Sequence, residues 1–235
     1  SVYFTKPRTL INIVRMLWVI WRIKPDVVGT HSSTDSWAAL TASYVLGVKK
    51  RVRYRHVTTQ IKNNLLNNLQ YRILCNTVFT TAECISISIV RLFGVKKIYS
   101  FPTPITPPTL LPCKIESRKK MLKRLNLPEN SILVGQVSVI RSWKGHSCLL
   151  NAFEEIVKTI PRIHLIFIGD GPHYNEIKSL IKSKKLDSKV HMLGHCEDIW
   201  PKIRCLDIMY LASTSNEAIP QSLLQSMHAE VPIIA

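Results

Sequence analysis

The polar loop near the end of the printed sequence carries the side chains best placed to do chemistry. An apolar run at 208–212 predicts a buried strand, and the polar segment Ser213 to Ala218 follows it with the carboxylate of Glu217. Pro220 then opens a predicted helix, because the first helical turn has no partner for the N–H that proline lacks. A strand, a loop with one carboxylate and an exposed helix N-terminus together indicate an anion pocket at the carboxyl edge of a sheet.

Two further turns are expected at the same kind of edge. Residues 141–146, Arg-Ser-Trp-Lys-Gly-His, join a predicted strand at 133–140 to the helix that follows it, and they place Arg141 and Lys144 on one tight turn. Residues 169–172, Gly-Asp-Gly-Pro, form the other turn, which we interpret as structural because only small residues allow so close an approach. Ligands bind at the strand ends of such sheets.

Strands and helices alternate along both halves of the chain. Short apolar runs predict strands, and apolar residues three or four positions apart predict helices. The predicted strands are a short one ending at His31, then 52–57, 78–81, 97–101, 133–140, 164–168, 189–193, 208–212 and 231–235, and the predicted helices are 10–21, one starting at 32–37, 61–74, 84–93, 147–160, 174–184, 199–203 and one from Pro220. This alternation is typical of an α/β fold with helices on the faces of parallel sheets.

A stiff linker divides the chain. Residues 102–112 contain five prolines, a density that neither a helix nor a central strand tolerates. We therefore predict two domains, residues 1–101 and residues 113–235, on either side of this linker.

Composition and charge narrow the function classes. With 46% apolar and 20% charged residues among 235, the composition is that of a globular protein and excludes a disordered one. The formal net charge is +17, and residues 1–112 hold 15 lysines and arginines against three carboxylates. Such a basic half is suited to bind a membrane surface, a phosphorylated lipid acceptor or a nucleic acid, and the charge alone does not distinguish these partners. The same charge is also compatible with a role in solubility only.

The cysteines and the first predicted helix bear on location. Six scattered cysteines without metal-ligand spacing or a signal peptide predict reduced, mostly buried thiols of a cytoplasmic protein. The longest apolar run of the first helix, residues 16–21, is too short to cross a bilayer. We assign to a protein core or interface the helical face that carries Leu10, Val14, Leu17, Trp18 and Trp21.

Residues 217–235 resemble the signature of the retaining glycosyltransferases of family 4. That signature reads Glu-Gly-hydrophobic-Pro, with a second Glu eight residues after the first, and it ends in Met-Ala-x-Gly-x-Pro before an apolar run. Glu217 and Pro220 match it, Gln225 stands at the second Glu, and Ala218 and Glu230 stand where the signature has glycine. The motifs at 141–146 and 30–37 resemble a lipopolysaccharide-type subgroup, and Pro104 replaces the glycine of a family turn.

The resemblance implies a GT-B fold, with two Rossmann-type parallel-sheet domains that are both incomplete in this chain. The first would be the acceptor-binding domain and the second the nucleotide-sugar-binding domain. The family's opening glycine-rich strand and its closing helices have no counterpart here. We therefore expect this fragment not to turn over by itself.

The resemblance also implies donor-binding residues in the second domain. Arg141 and Lys144 would bind the diphosphate of a nucleotide sugar, because fixed cations stabilise the charge that develops on it. Further donor contacts are implied for Gly145, Ile219, Pro220 and Gln225, with the Gln225 amide oxygen accepting from a ribose hydroxyl.

Two residues are implied as catalytic. Glu217 would contact the donor sugar and stabilise oxocarbenium charge. His31, in the acceptor domain, would form a hydrogen bond with the reacting sugar as a neutral imidazole. For His56 the role stays open between the site and the scaffold.

The expected function is retaining transfer of a sugar from a nucleotide-sugar donor to a glycan or lipid-linked acceptor in bacterial envelope polysaccharide or lipopolysaccharide synthesis. The expected location is the cytoplasm, peripheral on the inner face of an anionic membrane. No cofactor is expected beyond the nucleotide-diphosphate sugar, which is a substrate, and no metal, since GT-B members generally use side chains instead and no Asp-x-Asp occurs.

Two alternatives stay open. A non-catalytic glycosyltransferase-like binding protein is favoured by Pro104, Ala218 and Glu230. A basic nucleic-acid-binding protein is favoured by charge alone, and because no helix-turn-helix, zinc or aromatic RNA-binding signature occurs, we expect no nucleic-acid partner.

Overall fold

The computed structural model describes residues 9–215 and 217–235. The chain forms two compact units, Ser1–Thr103 and Pro104–Ala235, and each is built on one parallel sheet. The α/β class and the two parallel sheets are thereby confirmed. Between 101 and 113, a segment that the structure describes throughout, the proline-rich chain contains no helix or strand.

The first unit is a four-stranded parallel sheet in which each strand pairs with its neighbour in sequence, in the order β1-β2-β3-β4. Ser32 and Asp35 form a capping box at the start of the second helix, as the polar run there predicts. In chain order the elements are α1 (Thr9–Ile23), β1 (Val27–Thr30), α2 (Ser33–Val45), β2 (Lys50–Arg55), α3 (Leu65–Leu69, continued by a π-helical turn at Gln70–Leu74), β3 (Thr77–Thr80), α4 (Glu83–Phe93) and β4 (Ile98–Ser100).

The second unit is a five-stranded parallel sheet in the order β7-β6-β5-β8-β9. Its elements are α5 (Lys114–Leu125), β5 (Ile132–Val137), a 3₁₀ turn (Ser142–Lys144), α6 (His146–Thr159), β6 (Ile163–Ile168), α7 (Tyr174–Ser183), β7 (Val190–Met192), α8 (Trp200–Arg204), β8 (Ile208–Tyr210), α9 (Gln221–His228) and β9 (Ile233–Ile234). Because β6 and β8 flank β5, the direction of sheet growth reverses between β5 and β8. Ligands of such sheets bind outside the carboxyl ends of the strands at this reversal point.

Both faces of the second sheet are covered. All six residues of β6 are buried, as expected of a central parallel strand. Leu165 and Phe167 pack with Phe153 of α6 on one face, and Ile166 packs with Met209 on the other. Full burial of a side chain of this size contributes about 1.5–3 kcal/mol, so the core supports a stable edge at the strand ends.

Helix α1 buries a face other than the one its sequence pattern suggested. Ile20 and Asn12 are 4% and 1% exposed, and Ile20 packs with Ala42. Trp18 and Trp21 are 57% and 63% exposed, so the assignment of their face to a core is wrong. Eleven of the 15 positions of α1 are apolar, and its pattern therefore did not separate the two faces. Within the described ranges, no helix is both long enough and apolar enough to cross a bilayer.

The bounds of several elements, and the presence of one helix, also differ from the prediction. Strand β2 ends at Arg55 instead of residue 57, and the helix expected from residue 61 begins at Leu65, after Asn64 caps its N-terminus. Helix α5 was not predicted, because its sequence is strongly basic. Only Met121 and Leu122 among its apolar residues are buried, so the apolar periodicity is weak.

The cysteine prediction is half right. All six cysteines lie in the described part of the chain, and none of them is paired there. Burial was expected for most of them, but Cys84, Cys113 and Cys148 are exposed.

Candidate active site

Two loops meet at the reversal point of the second sheet. The 3₁₀ turn Ser142–Lys144 follows β5, and the other loop connects β8 to α9. Thr214 donates its backbone N–H to the carbonyl of Trp143, with an N···O distance of 2.9 Å. Gly145 has a φ of +69°, and a Cβ built on it would overlap the carbonyl oxygen of Ala212. Glycine is therefore required there, and the turn is seated directly on the loop after β8.

This seating brings the ammonium of Lys144 to the carboxylate of Glu217. The Nζ of Lys144 forms an ion pair with Oε1 of Glu217. Ser213 donates its hydroxyl to the same oxygen over 2.7 Å. The two charged side chains are 18% and 23% exposed, so much of the pair is shielded from water. Opposite charges attract more strongly in such a shielded site than at an open surface.

A buried polar layer supports the turn from below. Gln136 of β5 is fully buried and donates its side-chain amide to the carbonyl of Lys144 over 2.8 Å. Nε2 of His146, whose ring is also buried, is 3.2 Å from Oγ of Ser138. Burial, and secondly the charge of Lys144, lower the pKa of His146 to about 4. The imidazole is therefore neutral at pH 7 and places no second cation beneath Lys144.

Arg141 lies on the same turn in a different setting. Its guanidinium carbon is 5.2 Å from the ring centroid of Trp143, which is a cation–π arrangement, and the side chain is exposed. It forms no ion pair with any residue that the structure describes. Its charge is thus open to a ligand, whereas the charge of Lys144 already has a counter-ion.

The turn at 169–172 packs against the segment that follows β5. A Cβ on Gly169 would overlap the carbonyl oxygen of Ser138, and one on Gly171 would overlap that of Ile140. The φ of Gly169 is +143°, which side-chain-bearing residues rarely adopt. These close approaches confirm the structural interpretation of this turn.

The remaining donor-side candidates lie around the start of α9. Pro220 is the N-cap residue of this helix and not its first helical residue, which corrects the prediction by one position. Ile219 precedes it, and Gln225 lies within the helix; both are half-buried. In the described part of the chain, none of the three has a side-chain hydrogen bond to Lys144 or Glu217. The structure places them on the same loop and helix as Glu217 without joining them to the ion pair.

The two positions at which the signature has glycine behave differently. Ala218 is not among the described non-glycine residues with a positive φ, so alanine causes no backbone strain there. Glu230 has a φ of +55° and therefore retains the left-handed conformation that glycine favours. Its carboxylate accepts a hydrogen bond from Arg204 over 3.0 Å.

The carboxyl edge of the first sheet holds a pair of histidines. His31 follows β1 and His56 follows the adjacent β2, and Nδ1 of His31 lies 2.8 Å from Nε2 of His56. The His31 ring stacks on Tyr54 at a centroid distance of 4.4 Å, and its backbone N–H donates to Asp35. Burial, then the neighbouring His31 and Arg53, lower the pKa of His56. Protonation of His56 is thus disfavoured, and the pairing leaves Nε2 of His31 for a further partner.

The two catalytic candidates lie in different units, Glu217 in the second and His31 in the first. Sequence reasoning missed Ser213, Gln136 and His146 as contributors to the site. Only His146 carried a usable signal, since it follows the glycine of the 141–146 motif directly. Across residues 9–215 and 217–235, no group of three or more His, Cys, Asp or Glu side chains converges where a metal ion would fit.

Two parallel-sheet units, the second with a strand order that reverses beside the Lys144–Glu217 pair, match the GT-B fold. The chain belongs to the family of group 1 glycosyl transferases, whose model matches residues 117–235. That range contains the whole 141–146 turn and Glu217.

Individual proteins show the same likeness. A glycosyltransferase of Haemophilus influenzae, itself uncharacterised, is 24% identical over 190 residues, which are 79% of this chain and 50% of that protein. A crystal structure of a glycosyltransferase from Rickettsia africae matches 100% of this chain and 64% of its own, with a TM-score of 0.80 at 21% identity. The Anabaena protein HepE, solved with UDP and glucose, matches over 99% and 65%, with a TM-score of 0.77 at 18% identity. At these identities the structures show the fold, and the chain spans about half the length of the curated relative.

Proposed function

We propose that the protein transfers a sugar, with retention of its anomeric configuration, from a nucleoside-diphosphate sugar to a glycan or lipid-linked acceptor. The observation that carries this proposal is the Lys144–Glu217 pair at the reversal point of the second sheet. A departing diphosphate needs a positioned cation, and a developing oxocarbenium ion needs a nearby carboxylate. Family membership supports the same chemistry, as do the UDP and glucose bound by the Anabaena neighbour.

Lys144 and Arg141 act on the leaving group. As the bond between the sugar and the phosphate breaks, negative charge collects on the diphosphate, and fixed cations stabilise the transition state more than the ground state. Gln136 holds the carbonyl of Lys144 from below, which limits the movement of the turn. Helix α6 begins directly after Gly145, so its N-terminal N–H groups and dipole add to the attraction.

Glu217 acts on the sugar side of the same bond. Lys144 and Ser213 both engage Oε1. In this proposal the donor sugar approaches the other oxygen, Oε2. When the diphosphate draws the ammonium of Lys144 toward itself, the carboxylate loses its counter-ion and attracts the positive charge that develops at the anomeric carbon.

His31 provides the acceptor-side group in this proposal. Its Nδ1 is held by His56 and its ring by Tyr54, so one ring orientation is favoured. The free Nε2 then forms a hydrogen bond with the reacting sugar. It accepts this bond if Nδ1 of His31 carries the proton that lies between the two histidines, and it donates if His56 carries that proton.

The proposed setting is envelope polysaccharide or lipopolysaccharide synthesis, with the protein peripheral on the inner face of the cytoplasmic membrane. The support is the charge surplus of residues 1–112, where 15 lysines and arginines stand against three carboxylates. Juxtaposed basic residues attract anionic lipid, and salt screens that attraction. We expect the protein to co-sediment with anionic vesicles and to release them as salt rises. Tight salt-sensitive binding to random duplex DNA, with no binding to vesicles, would contradict this setting.

A donor screen by thermal shift tests the proposed activity class. Saturation at a hundred times the Kd stabilises a native protein by about 2.7 kcal/mol, which raises Tm by several degrees. We expect nucleoside diphosphates and their sugar conjugates to raise Tm, and uncharged nucleosides to have no effect. Lys178→Ala, an exposed lysine of α7, is the matched control for Lys144→Ala. The proposal fails if no nucleotide stabilises the wild-type protein.

A further inference from the structure

A second pocket lies at the carboxyl edge of the first sheet. It is bounded by α4 on one side and, on the other, by the chain segment that leaves β2, and its volume is about 430 Å³. That volume is within the range of small-molecule sites. Arg55, the last residue of β2, lines it, and the next residue along the chain is His56 of the histidine pair. Because successive side chains of a strand alternate between its faces, Arg55 faces the pocket, whereas Tyr54 and His56 stack together on the opposite side.

The guanidinium of Arg55 is only partly satisfied. Its Nη2 donates to the carbonyl of Thr59 over 2.7 Å and to the Thr59 hydroxyl over 2.9 Å. Its Nε is buried and has no hydrogen-bond partner among the described residues. A buried polar donor without a partner is costly, and a buried cationic donor more so. Arg55 therefore gains from any acceptor that enters the pocket.

The charge around Arg55 is positive and uncompensated. Arg91 of α4 also lines the pocket, is exposed, and has no hydrogen bond or ion pair within residues 9–215 and 217–235. Arg53, two residues before Arg55, is 3% exposed and donates to the carbonyl of Ser32. Burial lowers the pKa of Arg55; Tyr71 opposes this effect, and the charge of Arg53 adds a smaller lowering. None of the described residues that line the pocket is a carboxylate.

The other walls divide by polarity. Thr58, Gln60 and Ser88 add hydroxyl and amide groups to the arginines. The remaining surface is largely apolar and is formed by side chains such as Ile61, Ile87 and Leu92. Two cations with hydroxyl donors suit phosphate oxygens. The apolar wall suits a hydrocarbon next to them, which gains free energy on leaving water.

We infer that this pocket binds the phosphate or diphosphate of an amphiphilic acceptor together with the hydrocarbon attached to it. The name acceptor rests on the proposed transferase function, whereas binding of such an anion does not depend on it. The pocket would hold the acceptor by its anionic end, and the acceptor hydroxyl would remain free for the transferred sugar.

Calorimetric titration of the whole chain with three probes tests the inference: geranyl diphosphate, inorganic pyrophosphate and geraniol. We expect geranyl diphosphate to bind, pyrophosphate to bind more weakly and geraniol not to bind. Arg91→Gln should weaken geranyl diphosphate about tenfold, because one charge-assisted contact is lost. Arg15→Gln, an exposed arginine of α1, is the matched control and should leave the affinity unchanged.

The remaining outcomes separate this site from the donor site. Lys144→Ala should weaken UDP and leave geranyl diphosphate binding intact. Wild-type affinity for geranyl diphosphate in both Arg91→Gln and folded Arg55→Gln would overturn the inference. Equal binding of pyrophosphate and geranyl diphosphate would overturn the part of it that assigns the hydrocarbon to the apolar wall. A protein that binds geranyl diphosphate through Arg91 but binds no nucleotide would contradict the proposed function and support the pocket.

Discussion

The two units differ in whether the cations near the carboxyl ends of their strands have a carboxylate counter-ion. In the second unit Lys144 is neutralised by Glu217 within the same edge. In the first unit Arg55 and Arg91 line a pocket in which no described residue is a carboxylate. A paired cation must exchange its partner when a phosphate arrives, whereas an uncompensated cation gains its first counter-ion. We therefore connect the second edge with bond breaking and release, and the first edge with holding a substrate in place.

The largest expected effect comes from removing the internal counter-ion. Glu217→Gln should lower the rate of sugar transfer by about a thousandfold, at the upper end of what loss of one electrostatic contact to a transition state costs. The same change should tighten UDP binding, because Lys144 no longer has a competing carboxylate. Rates and Kd values for the full-length protein are to be compared with those of Glu155→Gln, an exposed glutamate of α6. Loss of both transfer and UDP binding would break the proposed exchange.

The seating of the turn gives the next largest effect. Gly145→Ala introduces a Cβ that overlaps the Ala212 carbonyl at a φ of +69°, so we expect a loss of at least about 3 kcal/mol in the free energy of unfolding. Gly194→Ala is the matched control, since its φ is +71° with no atom within 4 Å of the new Cβ. It should cost only the backbone term, about 1–2 kcal/mol. Equal losses in urea unfolding would show that the contact with Ala212 does not matter.

These two sites also show how far sequence reasoning reaches. Glu217 and Lys144 were placed at strand ends by the apolar runs before them, because strand direction follows from alternation with helices. Their contact was not predicted, since it depends on β5 and β8 being neighbours in the sheet, and Lys144 and Glu217 are 73 positions apart in sequence. The contact of Gly145 with Ala212 was out of reach for the same reason.

Composition hid other features. The apolar sequence of α1 offered two possible buried faces, and the wrong one was chosen. The basic sequence of α5 hid a helix. The pocket beside Arg55 was not foreseen, because alternate charged residues on β2 look like a solvated strand until their neighbours are known. What the sequence leaves open is therefore mainly which surfaces meet.

Low pH should destabilise the protein through His146, which lies in the buried polar layer beneath the Lys144 turn. The pKa of His146 is about 4 in the folded protein against its ordinary value of 6.5, so the unfolded chain binds more protons between these values. Stability is then fully present above pH 6.5 and falls as the pH drops toward 4, by about 3 kcal/mol from this residue. Urea unfolding between pH 7 and pH 4.5 measures the slope. His146→Gln should flatten it, and the exposed His228→Gln should not; an unchanged slope in both would contradict the burial argument.

The smallest expected effect concerns the ribose. Gln225→Glu restores the carboxylate of the family signature on a half-buried position of α9. If Gln225 meets the ribose hydroxyls, UDP affinity should stay the same or rise by up to about tenfold, because an ionised acceptor binds hydroxyl donors more strongly. Calorimetry with UDP and with inorganic pyrophosphate separates a ribose contact from a general change in charge. Weaker UDP binding in a variant with wild-type Tm would remove Gln225 from the donor site.

The exchange of counter-ions at Lys144 is most directly tested by the UDP affinities of a double-mutant cycle at the ion pair. The four proteins are the wild type, Lys144→Ala, Glu217→Gln and the double variant, with Arg141→Ala alongside and Lys178→Ala as control. The account predicts that Lys144→Ala weakens UDP at least tenfold, that Glu217→Gln tightens it, and that the gain disappears when Lys144 is absent. Arg141→Ala should also weaken UDP. Unchanged UDP affinity in both Lys144→Ala and Arg141→Ala would contradict it.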